Sequence, residues 1–251
     1  MFWLEAAVLV LFLAASATPT PLYRVYQARW GFSATTLTAV FAVYVLFLLM
    51  TVLIFGSLSD HVGRRPVIIT ALAVDTAACI LFLLAHGVGA LFDARALQGV
   101  AVGLAASALG AALLDLRPAG SLAPLVTSNG GTVGLAMGAL GTSVLVQYGP
   151  VPAHLVWWLL LGAFLAAILL AAATPEPGTV RPGALASLRP DVSVPRSARG
   201  TFARAAPCLV AVWALGGFYL SLGPSLPRSC PAHTTCCGAA SSPSCSPAWA
   251  R

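Results

Sequence analysis

The stretch Gly56-Ser57-Leu58-Ser59-Asp60-His61-Val62-Gly63-Arg64-Arg65-Pro66 is a short polar island between two long apolar runs. Asp60, Arg64 and Arg65 fall within six positions of one another in a chain of which only 8% is charged. Both flanks are strongly apolar: the 251 residues are 59% hydrophobic, with a mean hydropathy of +0.92. Soluble domains carry about a quarter charged residues. This chain has too few polar side chains to solvate a surface in water, so lipid is its solvent. The composition predicts an all-α, polytopic transmembrane helical bundle.

A helix rises 1.5 Å per residue and the hydrocarbon core is about 30 Å thick, so a span needs about 20 residues. Seven runs qualify: Phe2–Ala17, Ala34–Phe55, Val67–Ala85, Gly89–Leu114, Leu122–Val146, His154–Ala173 and Ala205–Leu222. The first is short, and its Ala15-Ser16-Ala17 resembles a signal-peptide cleavage site. Glu5 and the lack of a basic leader argue for a retained helix instead.

All thirteen basic residues are Arg, scattered singly between apolar runs rather than gathered into a patch. Their +6 net charge therefore points to a positive-inside bias and not to nucleic acid. Arg64, Arg65, Arg117, Arg181, Arg189, Arg196, Arg199 and Arg204 fall on one side; Arg24 and Arg29 fall in the loop on the other. That asymmetry puts the N-terminus and the Gly56–Pro66 turn in the cytoplasm of a multi-pass protein of the cell (inner or plasma) membrane.

Four regions are expected. Residues 1–173 form a six-helix bundle, 174–204 a Pro/Gly/Arg-rich cytoplasmic linker, 205–222 a seventh helix, and 223–251 an unstructured tail. In the tail, Cys230, His233, Cys236 and Cys237 fit no common zinc framework, and a disulfide cluster there is equally unsupported. A shifted reading frame or a truncation is the expected origin of this segment. Cys79 and Cys208, inside apolar runs, are packing residues. No nucleotide-binding G-x-x-x-x-G-K and no hydrolase triad is present, so the expectation is no enzyme, no cofactor and no metal.

Gly56-x-Leu58-Ser59-Asp60-x-x-Gly63-Arg64-Arg65-Pro66 resembles the signature between helices two and three of the major facilitator superfamily. A second stretch, Arg95-x-x-Gln98-Gly99-x-x-x-Gly103, is similar to that family's fourth-helix motif. The resemblance covers Phe2–Leu222. In the fifth run Gly134-x-x-x-Gly138 stands, but Ala139 occupies the place where the drug-antiporter branch carries Pro. The resemblance implies a secondary transporter with proton-coupled efflux, by antiport, of a small organic compound. Its partners are the lipid bilayer, protons, the small-molecule substrate, and a missing C-terminal half or a second copy in a homodimer. On that reading the chain is truncated after its seventh helix and inactive alone. The alternative is a non-transporting half-bundle that acts as a dimer or interaction protein.

The resemblance also implies site roles. Gly56, Asp60, Gly63, Arg64 and Arg65 form a gating loop, in which Asp60 meets a helix end of the other half. Arg95, Gln98 and Gly99 belong to coupling or substrate binding. From the residues themselves, an intramembrane Arg costs at least about 2.5–3.5 kcal/mol at a helix centre, so Arg95 needs a partner, unless it snorkels to the interface. Asp75 lies nine residues past Pro66, about 13 Å deep near the midplane, where a carboxyl is either a proton carrier or a neutral packing group. Arg95 on the antiparallel neighbour is expected within its reach. Glu5 and Asp93 are expected at the interface. Gly130, Gly134 and Gly138 are expected to give close helix packing.

Overall fold

The computed structural model describes residues 1–116, 123–148, 152–174 and 199–222, and all structural statements below concern these residues. They are helical throughout, with no strand among them: α1 (Phe2–Ala17), α2 (Pro19–Trp30), α3 (Ala34–Phe55), α4 (Leu58–Val62), α5 (Arg64–Leu83), α6 (Val88–Asp115), α7 (Ala123–Tyr148), α8 (Pro152–Ala173) and α9 (Arg199–Leu222). Six stretches are long and apolar enough to cross a membrane: Phe2–Trp30, Ala34–Phe55, Arg64–Leu83, Val88–Asp115, Asn129–Tyr148 and His154–Ala173. The expected all-α polytopic bundle is therefore the observed one.

The first span differs from expectation. Thr18 keeps helical dihedrals (φ −52°, ψ −44°), and Pro19 and Pro21 occupy the first turn of α2, where a missing N–H is tolerated. The chain thus runs from Phe2 to Trp30 with a single-residue joint, and Arg24 and Arg29 lie on a helix rather than in a loop. Gly31, with φ +64°, ends α2, and Ser33 caps α3 by accepting the Thr36 N–H at 3.1 Å. The last helix also starts early, at Arg199 instead of Ala205. Ala203, Arg204, Ala205 and Ala206 are among the best helix formers, and they carry it back into the expected linker. The tail residues Cys230, His233, Cys236 and Cys237 lie outside the described residues.

α6 is the central helix. It packs along α3 and α5 and against α1, while α5 also packs on α8 and α1 on α7. The core gathers Phe12, Leu22, Leu37, Ile68, Leu72, Leu91, Leu109, Trp157 and Phe164 from every side of this arrangement. At one end, aromatic rings join three helices. Trp157 of α8 stacks on Phe82 of α5 at 4.1 Å and donates its indole N–H to the Tyr26 hydroxyl of α2 at 3.1 Å. The outward faces are apolar, as lipid requires: Leu46, Leu49 and Met50 on α3, Met137 and Leu140 on α7, Trp158 and Leu169 on α8. The hydroxyls of Thr70, Thr76 and Ser143 turn back to carbonyls four residues earlier, so these three are satisfied without water.

Small residues set the closest helix approaches. A Cβ on Gly134 would lie 2.7 Å from the Val10 carbonyl oxygen, and one on Gly138 would overlap the backbone of Ala14. Gly130 faces Leu9 and Val10 with room to spare. On the other side of the bundle, Gly99 abuts the Tyr44 carbonyl, and a Cβ on Gly103 would come within 2.7 Å of the Thr51 Cβ. Overpacking such contacts costs about 1–3 kcal/mol. Gly138→Val is therefore expected to lower the thermal unfolding midpoint in detergent by several degrees, whereas Gly141→Val, with nothing within 4 Å of its added carbon, leaves it in place. Equal midpoints for the two variants would refute close backbone packing of α1 on α7.

Candidate functional site

Two polar centres interrupt the apolar bundle, and they lie at different levels of it. The first is the Gly56–Pro66 turn. α3 ends at Gly56, α4 carries Asp60, and Gly63 turns the chain into α5 with φ +107°, a conformation that side chains with a Cβ rarely adopt. Two consecutive arginines then open α5, where the helix's own dipole disfavours positive charge. Carboxylates offset this. Arg64 Nη1 lies 3.1 Å from Asp60 Oδ1, and Arg64 Nε donates to Asp115 Oδ2, at the last residue of α6, at 2.7 Å. Arg65 Nε donates to the Ala171 carbonyl at 3.1 Å and Nη2 to that of Ala172, so its charge meets the negative end of α8. The turn thereby ties α5 to α6 and α8 through side chains alone.

The second centre is buried among α1, α2, α3, α5 and α6. Arg95 is fully enclosed, so it does not snorkel. Its Nε donates to the Tyr23 hydroxyl at 2.6 Å, and its Nη1 to the Ser16 carbonyl at 3.1 Å and to Gln98 Oε1 at 2.7 Å. The faces of Tyr23 and Tyr44 lie 5.5 and 5.1 Å from the guanidinium carbon, cation–π contacts that are strongest where water is excluded. Gln98 uses its amide nitrogen to reach the Ala15 carbonyl at 3.1 Å. Pro19 and Pro21 have no N–H to return to Ala15 and Ala17, and Gln98 donates to the Ala15 carbonyl, while Arg95, one turn away on α6, takes the neighbouring Ser16 carbonyl.

Asp75 sits beside this node, with no exposed surface, and the Arg95 charge and the Gln98 amide act on its carboxyl. Asp75 and Arg95, expected within reach of each other, make no direct hydrogen bond. Neither Asp75 oxygen has a hydrogen-bond partner among the described residues, and Arg95 Nη2 has none either. Arg95 is drawn instead to the broken end of α1. Among the acids expected at the interface, Asp93 is exposed, while Glu5, in the first turn of α1, is buried. Gly99 and Gly103 seat α6 on α3 rather than lining a site. Between α1 and α7 lies a groove of about 500 Å³, walled by Trp3, Ala7, Val10, Leu11, Ala14 and Met137 and almost wholly apolar. Among the described residues no three His, Cys, Asp or Glu side chains come together as a metal site.

Sequence reasoning brought together Arg95, Gln98 and Asp75 but missed Asp115, Tyr23, Tyr44 and Ser16. Asp115 carried a usable signal: it is the single acid at the far end of the α6 run, level with Arg64 once α5 and α6 are antiparallel. The tyrosines carried none, since a buried Tyr has the same pattern whether it packs or hydrogen-bonds.

A six-span helical bundle with apolar outward faces, charges enclosed at its centre and a clasp at one end is a multi-pass membrane protein. Residues 6–229 match the model of the Major Facilitator Superfamily, and the chain belongs to that superfamily, whose members are transporters and not enzymes. No curated protein matches the chain.

Both acids of the turn are more than two-fifths exposed, so each ion pair is screened and contributes no more than about 1 kcal/mol. A double-mutant cycle between Arg64→Gln and Asp115→Asn, read by unfolding in detergent, is expected to give a coupling of about 0.2–1 kcal/mol that shrinks as salt rises. Coupling indistinguishable from zero at low salt would remove this pair as a tie between α5 and α6.

Proposed function

We propose that this bundle serves proton-coupled efflux of a small, apolar organic compound across the cell membrane, with Asp75 as the proton carrier. The observation that carries the reading is the Asp75 carboxyl, enclosed in a membrane-spanning helix with neither oxygen hydrogen-bonded. A charged carboxylate in such a place is costly, and a proton is the partner that removes the cost. The α1–α7 groove supports the substrate class. Its volume suits a small molecule, and its wall offers apolar contact where a sugar or a carboxylate needs hydrogen-bond partners.

In this reading the Gly56–Pro66 turn faces the cytoplasm, as the arginine distribution favours, and acts as the gate. Asp60 spends one oxygen on Arg64, in a screened pair that can break and re-form in each cycle at a cost of about 1 kcal/mol or less. Alternating access proceeds by rocking of the bundle formed by residues 1–173 against a second bundle that begins with α9, the segment 174–204 being their connection in the expected division of the chain. Charge at Asp75 is discharged by protonation before the site reopens. Binding of a proton and binding of the compound then exclude each other, so that uptake of a proton accompanies release of the compound, which is antiport.

The test uses the bundle joined to its second half, in proteoliposomes with an imposed proton gradient and a lipophilic fluorescent dye as probe. Asp75→Asn is expected to abolish the dependence of dye movement on the gradient, while leaving gradient-independent exchange. Transport by Asp75→Asn that keeps its full proton dependence would remove Asp75 as carrier. Asp60→Asn is expected to shift which side reaches a cysteine placed at Val10, and unchanged labelling from both sides would end the gating role.

A further inference from the structure

We propose that Tyr23 is a positioning residue that holds Arg95 on the broken end of α1 and away from Asp75, leaving the carboxyl free to take up and return a proton. The inference rests on the carrier reading of Asp75, and it adds to that reading the residue that keeps the carrier uncompensated.

The geometry is one of competition for a single guanidinium. Arg95 has five N–H donors in a fixed fork. In the structure Nε turns to Tyr23 Oη of α2 at 2.6 Å, and Nη1 to the Ser16 carbonyl of α1 and to Gln98 of α6 itself. The Asp75 carboxyl, on which the Arg95 charge acts, is not bonded, and Nη2 makes no hydrogen bond among the described residues. A buried Arg next to a buried Asp forms a tight, bidentate pair unless something holds it elsewhere, because such pairs are the strongest charge-assisted hydrogen bonds available. Once formed here, the pair would neutralise Asp75 permanently and end its use as a proton site.

Three features hold Arg95 back, and only one is a side chain whose removal leaves the fold's shape intact. The carbonyl of Ser16 is backbone. Gln98 lies one turn along the same helix and moves with Arg95. The Tyr23 hydroxyl comes from a different helix, is completely buried, and makes the shortest of the three bonds. Deleting that one oxygen keeps the ring, and with it the cation–π contact at 5.5 Å, but frees Nε to turn.

The groups facing Asp75 are few. From α6 comes the Arg95 charge with the Gln98 amide, from α3 Tyr44, and from α5 itself Cys79 one turn on. α8, which packs along α5, has no charged residue between 155 and 173, and α4 holds Asp60 and His61 at the far end of α5, beyond the Gly63 turn. Arg95 is thus the single cation able to change the state of Asp75, and its placement decides whether the carboxyl is compensated.

The experiment needs no knowledge of the substrate. Dicyclohexylcarbodiimide reacts with protonated carboxyls in apolar surroundings, and the residue modified is read by peptide mass spectrometry on the purified 251-residue chain in detergent. Wild-type protein is expected to be labelled at Asp75. Tyr23→Phe is expected to lose about tenfold of that labelling, the change that one unit in a group's proton affinity produces. Tyr23→Phe/Arg95→Gln is expected to regain it, and Tyr44→Phe, which removes a hydroxyl that does not bond Arg95, to keep it. Wild-type labelling by Tyr23→Phe overturns the positioning role and leaves the carrier reading standing. An equal drop in Tyr44→Phe overturns it too, since a general loosening of the node would then be the cause. Absence of label at Asp75 in the wild type overturns the carrier reading itself. Where Tyr23→Phe fails to give a monodisperse protein, Tyr23→Leu replaces it: it too removes the hydroxyl that accepts from Arg95 Nε, and the same loss is expected.

Discussion

The bundle depends on one arrangement: a guanidinium inside a lipid-facing protein, bonded to the carbonyl end of a helix that proline has interrupted. Neither part is stable without the other. The end of α1 has backbone acceptors that lipid cannot satisfy, and Arg95 has a charge that lipid cannot solvate. Arg95 meets the Ser16 carbonyl at 3.1 Å and the Tyr23 hydroxyl at 2.6 Å, which lowers both costs and fixes α6 against α1 and α2 at a definite height. The rings of Tyr23 and Tyr44 close the site, so that polar contact and apolar burial occur in the same few residues.

The two polar centres use arginine differently, and burial explains the difference. At the turn, Arg64 and Arg65 sit near solvent, and their partners are carboxylates or the last carbonyls of α8, in contacts weak enough to exchange. In the core, Arg95 donates to neutral acceptors and makes ring contacts, while Asp75 goes without a hydrogen-bond partner. A bundle stabilised at its margin by screened ion pairs and at its centre by a proline-made acceptor can lose the first without disturbing the second.

Much of the fold was legible in the chain because lipid imposes a coarse rule: an apolar run of sufficient length becomes a helix. Five of the six bundle spans fall within a few residues of where the runs predicted them. The first did not, since Pro19 and Pro21 look like a stop in sequence, yet at the first turn of a following helix they cost nothing. For the same reason Arg24 and Arg29 were misplaced in a loop. Arg95, Gln98 and Asp75 were visible as rare polar residues in apolar runs. What Arg95 binds was not, because backbone carbonyls have no letter in the sequence and Tyr23 is indistinguishable from a packing tyrosine. Asp115 was discoverable only by pairing helix ends across the bundle.

The passage from Phe2 to Trp30, jointed at Thr18, has a consequence for how the protein sits in its bilayer. Twenty-nine residues at 1.5 Å each reach about 43 Å, which exceeds a hydrocarbon slab of about 30 Å and matches the full thickness with headgroups. The excess is α2, and it carries Arg24, Arg29 and Trp30. Those residues are what a headgroup layer accommodates, cations beside phosphates and an indole at the boundary. The basic part of the first span thus suits the headgroup layer, and there it sets the level of the joint at Thr18 and of the arginine bound beside it.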